Sequence, residues 1–401
     1  MRTADEHAAA AVALAPAPVR VELGLRDALG YVAADAVLAQ VDSPPFDNSA
    51  MDGFAVRWSD VCEATTDAPV TLPVMGESRA GVPATEALSP RSAMRIMTGA
   101  PMPAGADTVV PVEATAGGDG FVSITQLRSE GAHVRRRGED AHIGDQVIAA
   151  GIELAARHLA AAAAVGAERV TVFRRPRVGI LSTGDELAAL GHDLREGQIY
   201  ESNSYLLDGA VRAAGGEPVL LGPVGDEVAD VLAALGRADV DIVVTTGGVS
   251  VGDYDVVKAA LAGLGVEFMP VAMQPGKPQG LGVVDGTPLL CLPGNPVSVA
   301  VSFEIFVEPL IRAMRGLAPR ADWRAAIVAS GWTSPAGREQ FMPVRFMAQT
   351  SNGDEVVPAT AGGAGSHLMA RLAMADGLAR VPAATTEVRA GDSLMVRRFA
   401  G

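Results

Sequence analysis

Five carboxylates, Asp185, Glu186, Asp226, Asp253 and Asp255, stand in short glycine-bearing loops: STGDE (182–186), GPVGDE (222–227) and TTGGVSVGDYD (245–255). A fourth loop, LPGNPVS (292–298), has the same texture. Glycines such as Gly247, Gly248 and Gly252 let backbone N–H groups turn toward an anion, as helix N-termini also do. Acids beside an anion make chemical sense when a divalent cation lies between them. Taken singly, each loop reads as a tight βα turn, and roughly half of the acids read as helix caps. Four such loops at one sheet edge point instead to a pocket for a phosphorylated or otherwise anionic ligand, with Mg²⁺ suggested. FDNSAMDGFAVR (46–57) places Asp47, Asn48, Ser49 and Asp52 around a turn, and IMTGAPMPAGAD (96–107) carries Thr98. RRRGED (135–140) sets three arginines beside two acids, and for Arg135 and Arg136 a solvated charged loop is expected.

The elements that must hold these loops repeat as strand, loop, helix from Arg177 onward. RVGIL precedes STGDE, EPVLLGPV precedes a helix near Asp226, VDIVVTT runs into GGVSVGD, and PLLCLP runs into GNPVS and a long apolar helix. Strands apolar throughout, alternating with helices, imply a parallel doubly wound sheet. In such a sheet ligands bind beyond the carboxyl ends of the strands, where these loops lie. Asn295 is the expected N-cap of the long helix with Pro296 at its first position, and Pro309 is expected to kink or end it.

Upstream, an Ala-rich N-terminal helix ends at Pro16 and Pro18. A strand follows, then a helix with Leu25, Ala28, Leu29 and Val32 on one face. From Val41 to about Val147, Pro and Gly breaks and short alternating runs (Thr71–Val74, Phe121–Ile124) indicate a β-rich module. A helix near Glu153–Val165 returns the chain to its first segment, and Arg174-Arg175-Pro176 reads as a linker. After Arg320 the texture is β again, with a hairpin turn expected at Ala390-Gly391-Asp392.

The 401 residues suit several domains, and an apolar share of 49 % supplies each with a core. A net charge of −15 is the wrong balance for a nucleic-acid binder, and no Lys/Arg-rich amphipathic stretch argues for anionic lipid. Cys62 and Cys291 form no CxxC pair and fit a reducing compartment, and the six histidines show no ligand spacing. His133 and His142 read as surface residues. The N-terminal AAAAVALAPA lacks the basic lead of a signal peptide, and no run is apolar for the ~18 residues of a membrane span, so a cytoplasmic protein is expected.

Taken in order, SPPFDNSAMDGFAVR, RIMTGAPMPAGAD, VRRRGED, STGDEL, GQIYESNSYLL, TTGGVSVGDYDVVK, PGKP and LPGNPVSV closely resemble the molybdopterin molybdenumtransferases, the family of bacterial MoeA and the gephyrin E domain. The resemblance covers nearly the whole chain. It implies α/β and β modules in four domains: a helical linking region split over 1–40 and 148–175, a β-rich lobe at 41–147, a doubly wound molybdopterin-binding domain at 176–320, and a C-terminal β-barrel at 321–401. It further implies a homodimer with the cleft completed by the second subunit. The reaction implied takes adenylylated molybdopterin and molybdate, releases AMP and forms molybdenum cofactor with Mg²⁺ assisting. Contacts with the molybdopterin adenylyltransferase and with apo-molybdoenzymes are implied as well.

Carried onto this sequence, the resemblance marks Asp52, Thr98, Asp140, Glu186, Asp226 and Asp255 as catalytic, with Asp226 and Asp255 as the Mg²⁺ ligands. It assigns substrate contacts to Gly247, Gly248, Ser250, Lys277, Pro278, Pro293, Gly294, Asn295, Arg345 and Ser366. Molybdate is a dianion and needs cationic and hydroxyl donors. Many relatives have a lysine where this chain has Gln274, which is expected to weaken oxyanion binding unless Lys277, Arg338 or Arg345 compensates. His367 reads as a packing or surface residue. The alternatives are a molybdopterin adenylyltransferase, which needs neither the β lobe nor the barrel, and a pterin-binding paralogue or scaffold without efficient transfer.

Overall fold

Strands that are apolar along their whole length can lie only in the middle of a sheet covered on both faces. Arg177–Ser182, Ile242–Thr246 and Thr287–Leu292 are such strands, buried at nearly every position. In the computed structural model, which describes residues 1–118, 120–126, 129–249, 255–347, 353–359 and 369–399, they form the centre of a six-stranded sheet. Its order is Glu217–Leu220, Arg177–Ser182, Ile242–Thr246, Thr287–Leu292, Pro278–Val284, Val266–Pro270. The first four strands are parallel, and the last two are antiparallel. The expected doubly wound sheet therefore carries an antiparallel edge.

The chain divides into two units, Met1–Val21 with Gly30–Ala34 and Val172–Gly401, and Glu22–Leu29 with Asp35–Thr171. In the first, one sheet face packs Ile180, Val244, Leu290 and Leu292 against Leu207, Val299, Phe303 and Phe306. The other packs Leu181, Val243 and Cys291 against Val231, Val257 and Leu261. Burial pushes the Cys291 thiol up to about 12, so it behaves as a small apolar side chain. The N-terminal helix Ala4–Ala13 joins the first core through Ala4 and Ala11. Thr3 and Glu6 close its start as a reciprocal capping box.

Pro309 does not end the long helix, although the regular α-helix is interrupted just before it. Pro296–Ser302 runs through a π turn, Phe303–Val307, into Glu308–Met314. The wider turn leaves Pro309 at the start of a new helical segment, where its missing N–H has no partner to lose. Arg397 ties this helix to the last strand by donating to the Glu304 carbonyl at 2.7 Å and to Glu304 Oε2 at 3.2 Å.

Downstream, Glu339–Phe346, Glu355–Pro358, Arg324–Val328, Ser393–Arg398 and Gly377–Val381 pair in a ring that closes back on Glu339–Phe346. Val328, Met342, Val344, Val356, Ala379 and Val396 fill this barrel. Met273–Gln274 adds in parallel to its strand Glu339–Phe346, with Met273 opposite Glu339. The turn at Ala390-Gly391-Asp392 is present, closed by the Asp392 N–H to Arg389 O bond at 3.1 Å. It is not a hairpin, because Glu387–Val388 pairs with Trp332–Thr333 while Ser393–Arg398 joins the barrel.

The second unit holds a six-stranded sheet ordered Thr108–Pro111, Gly53–Val56, Ala93–Ile96, Val70–Ser78, Phe121–Ile124, Thr115–Gly118. Val56, Leu72, Val110, Val122 and Ile124 fill one of its cores. Strand Gln146–Ile148 pairs with Val37–Leu38, and helix Ala156–Ala164 follows it, so the chain does return to its early segment. The helix expected over 25–32 is one 3-10 turn, Leu25–Asp27. Gly30 at φ +74° breaks it, and Val32–Ala33 is a strand paired with Val172 and Phe173. Ala28 and Val32 are buried but Leu29 is 54 % exposed, so the four residues do not share one buried face.

Candidate functional site

At the carboxyl ends of the central strands the loops are tied to each other through backbone. The Thr183 N–H donates to Thr246 O at 3.0 Å, and the Gly247 N–H donates to Leu292 O at 3.2 Å. Gly247 has φ +92°, and a Cβ there would lie 2.7 Å from the Thr183 carbonyl oxygen, so close loop packing alone demands glycine. Gly248, at φ +62°, is likewise crowded by the backbone nitrogen of Val257 at 2.9 Å. Beneath the loops, Thr246 Oγ1 donates to Ser182 Oγ at 3.2 Å, and Ser182 donates to Glu201 Oε1 at 3.1 Å. Glu201 also accepts the Ser204 N–H at 2.8 Å. This buried chain of bonds fixes the floor.

Above the floor opens a cavity of about 1000 Å³, large enough for a nucleotide-sized ligand. Glu186, Asp226, Asp255, Gly247, Gly248, Lys277, Pro278, Pro293, Gly294 and Asn295 all line it. The three acids come from loops at the sheet edge. Asp255 N-caps Val256–Ala260 by position without a side-chain capping bond, and its buried Oδ2 has no hydrogen-bond partner among the described residues. Asn295 likewise precedes Pro296–Ser302 without a side-chain cap, leaving its amide to the cavity.

The cations reach the cavity from elsewhere. Gln274, Pro275, Gly276 and Lys277 form one wall, joined by Arg338. Arg338 is there because Met273–Gln274 pairs with the barrel strand that begins at Glu339, and the Glu339 N–H donates to Ala272 O at 2.9 Å. Arg345 is exposed and is not among the lining residues. It lies seven positions beyond Arg338, about 23 Å along an extended chain. Ser250, Gly252, Asp253, Ser366 and His367 fall outside the described residues.

Asp52, Thr98 and Asp140 belong to the second unit. Asp52 Oδ1 accepts the Thr98 backbone N–H at 2.6 Å and its hydroxyl at 2.8 Å, which holds the carboxyl below its ordinary range. Asp140 is placed separately: Ser43 Oγ donates to it at 3.3 Å, and its N–H donates to Ser43 O at 2.9 Å. The RRRGED loop is not merely solvated. Arg136 Nη1 and the Arg137 N–H both donate to Asp47 at 2.7 Å, while Arg137 Nε and the Ile143 N–H converge on Asp42. Among the described residues no group of three or more His, Cys, Asp or Glu side chains is placed to hold a metal, and no helix is long and apolar enough to cross a membrane.

Reasoning from residue chemistry missed Thr183, Tyr200 and Asn203, which also line the cavity. Asn203 Nδ2 donates to Gly294 O at 2.8 Å and so ties GQIYESNSYLL to the LPGNPVS loop. The motif is visible in sequence, but nothing in its residue types signals that its segment folds over the sheet edge.

The chain matches the MoeA N-terminal region (domain I and II) over residues 2–166, a probable molybdopterin binding domain over 179–313, and the MoeA C-terminal region (domain IV) over 325–399. It is 44 % identical over 406 residues, 99 % of each chain, to molybdopterin molybdenumtransferase 2 of Mycobacterium tuberculosis strain H37Rv. It is 34 % identical to the molybdopterin molybdenumtransferase of Haemophilus influenzae, covering 100 % of this chain and 99 % of that one. A crystal structure of the molybdopterin biosynthesis MoeA protein of Pyrococcus horikosii superposes with a TM-score of 0.84 at 31 % identity, covering 100 % of this chain and 99 % of that one.

Proposed function

Because the chain belongs to the molybdopterin molybdenumtransferase family, we propose that it inserts molybdenum into molybdopterin, taking adenylylated molybdopterin and molybdate and releasing AMP. The observation that carries this is the lining of one cavity by three carboxylates, Glu186, Asp226 and Asp255, and by two cations, Lys277 and Arg338. A substrate with a phosphoanhydride and a second, oxyanionic substrate require both kinds of group in one site.

Mg²⁺ fits this donor set. It is usually held by one or two carboxylates together with substrate phosphates rather than by an all-protein cage. Asp226 and the buried Asp255 oxygen, which has no partner among the described residues, are suited to that role. When bound, the metal would supply charge neutralisation at the phosphoanhydride. Glu186 is exposed to the cavity and positioned to move a proton as oxo groups leave molybdate. Lys277 and Arg338 would bind and orient molybdate. Gln274 beside them contributes only a neutral amide.

We further propose that the chain acts as a cytoplasmic homodimer in which Asp52, Thr98 and Asp140 serve the cavity of the second copy. The dimer would receive substrate from the adenylyltransferase and pass product to apo-molybdoenzymes. The test is AMP release from adenylylated molybdopterin by the purified chain with Mg²⁺, with and without molybdate, followed by activation of an apo-molybdoenzyme. Molybdate-dependent release with activation is expected. Tight nucleotide binding without release would overturn the transferase reading in favour of a binding paralogue.

A further inference from the structure

We infer that Tyr200 is the platform on which the flat nitrogen heterocycle of the substrate stacks; this rests on the function proposed above. A cavity that must hold a heterocycle needs an apolar face as well as charges, since planar rings leave water readily onto another π-surface. Among the described residues lining the cavity, Tyr200 is the only aromatic side chain, and it is 44 % exposed. A large ring left that open, on the wall of a cavity that also carries carboxylates and cations, is surface on which a second ring can stack.

The ring is also held in place. Its hydroxyl donates to His192 O at 3.0 Å. Ile199–Tyr200 pairs in parallel with Leu187–Ala188, with the Ile199 N–H on Glu186 O at 2.9 Å and the Glu201 N–H on Ala188 O at 3.0 Å. The next residue, Glu201, is buried on Ser182 and Ser204, and Asn203 is fastened to Gly294. Tyr200 thus sits between the carboxylate-bearing STGDE loop and the floor of the cavity, on a segment anchored at both ends. Such a frame orders the ring before ligand arrives, so little freedom is lost when a second ring stacks on it. Ile199 beside it lines the cavity too and extends the apolar face.

Adenylylated molybdopterin offers two rings of this kind, pterin and adenine, and stacking is tolerant of which ring it receives. The experiment therefore measures molybdopterin and AMP binding separately on the full-length wild type, Tyr200→Phe and Tyr200→Ala. Pterin emission reports ring contact, melting temperature reports folding, and the KM for molybdate serves as a control. Tyr200→Ala is expected to weaken one of the two ligands by about tenfold or more and to lose the quenching of its emission where that ligand is molybdopterin. Tyr200→Phe, which keeps the ring and loses only the tether, should stay close to wild type. The molybdate KM should not change. A loss confined to molybdopterin assigns the platform to pterin, and one confined to AMP assigns it to adenine. The inference falls if folded Tyr200→Ala binds both ligands like wild type. It also falls if Phe and Ala lose affinity together, since the hydroxyl tether alone would then be what matters. A wild type that binds AMP but not molybdopterin would sink the proposed function while leaving the AMP arm to judge Tyr200. A wild type that binds neither would sink both.

Discussion

The Asp226 backbone N–H donates to Asp185 Oδ1 at 3.1 Å, and the Asp185 N–H returns a bond to Asp226 Oδ2 at 3.3 Å. Two like charges are thus brought together, each met by the peptide of the other's loop. One oxygen of Asp226 is committed to holding STGDE against GPVGDE. Asp226 lines the cavity and Asp185 does not, so an effect of losing Asp185 is expected to pass through Asp226.

Asp226→Asn keeps an acceptor for the Asp185 N–H and removes only the charge. We expect it to melt like wild type and to lose most Mg²⁺-dependent AMP release. Asp185→Ala should raise the Mg²⁺ requirement by about ten- to a hundredfold, the usual effect of losing a group that orients a metal ligand. Mg²⁺ titrations of AMP release check both. Wild-type turnover in Asp226→Asn would remove it from the site.

Asp52 and Thr98 make a prediction about acid. The Thr98 N–H, then its hydroxyl, hold the Asp52 carboxyl below its ordinary value. A carboxylate depressed in the folded state contributes stability above its unfolded pKa, and that stability is lost as pH falls through the folded value. Thr98→Val removes the hydroxyl and keeps the N–H. The Asp52 carboxyl should then titrate closer to the ordinary carboxylate range, as an NMR titration of its side chain would report. An unmoved titration would show that the N–H alone sets it.

These relationships differ in how far they could be read before the structure. The three central strands were legible because Arg177–Ser182, Ile242–Thr246 and Thr287–Leu292 are largely apolar, and the loops after them place Glu186, Gly247, Asp255 and Asn295 around one cavity. In sequence Arg338 stands out only as one of three cations able to compensate for Gln274. What brings it to Gln274 is the pairing of Met273–Gln274 with a strand more than sixty positions later, and no local pattern encodes such a contact. Arg345 looks equivalent in sequence but is exposed and does not line the cavity. The short helix at Leu25–Asp27 was misread because its 3.6-residue spacing was real, while Gly30 and the strand at Val32–Ala33 decided otherwise. Tertiary pairing overrode local periodicity there.

His7 should make the fold sensitive to mild acid. It is 1 % exposed, its Nδ1 has no partner among the described residues, and its ring stands edge-on to Phe306 at 4.7 Å. Burial, with a smaller push from Arg2, lowers its pKa from 6.5 to about 4. Between those values the unfolded chain binds the proton and the folded chain does not, so stability is complete above about 6.5 and falls as pH drops toward 4. The full displacement corresponds to roughly 3 kcal/mol. His7→Leu should lose that dependence, melting near wild type at pH 7.5 and above it at pH 5. Parallel melting curves of the two proteins across this range would exclude His7 as the group responsible.

Gln274 sets the last expectation. It lines the cavity beside Lys277 and Arg338, and among the described residues neither cation is given a carboxylate partner. If those two side chains bind molybdate, removing one must weaken the anion, and adding a third charge must strengthen it. Gln274→Lys should lower the KM for molybdate by roughly tenfold, the value of about 1.4 kcal/mol from one more charge in a partly dry site, and leave molybdopterin affinity unchanged. Arg338→Ala should raise that KM by a similar factor, whereas Arg345→Ala, far along the strand, should change it less. Molybdate dependence of AMP release in the three variants decides the matter. An Arg345→Ala effect larger than that of Arg338→Ala would mean that the cavity described here is not where molybdate sits.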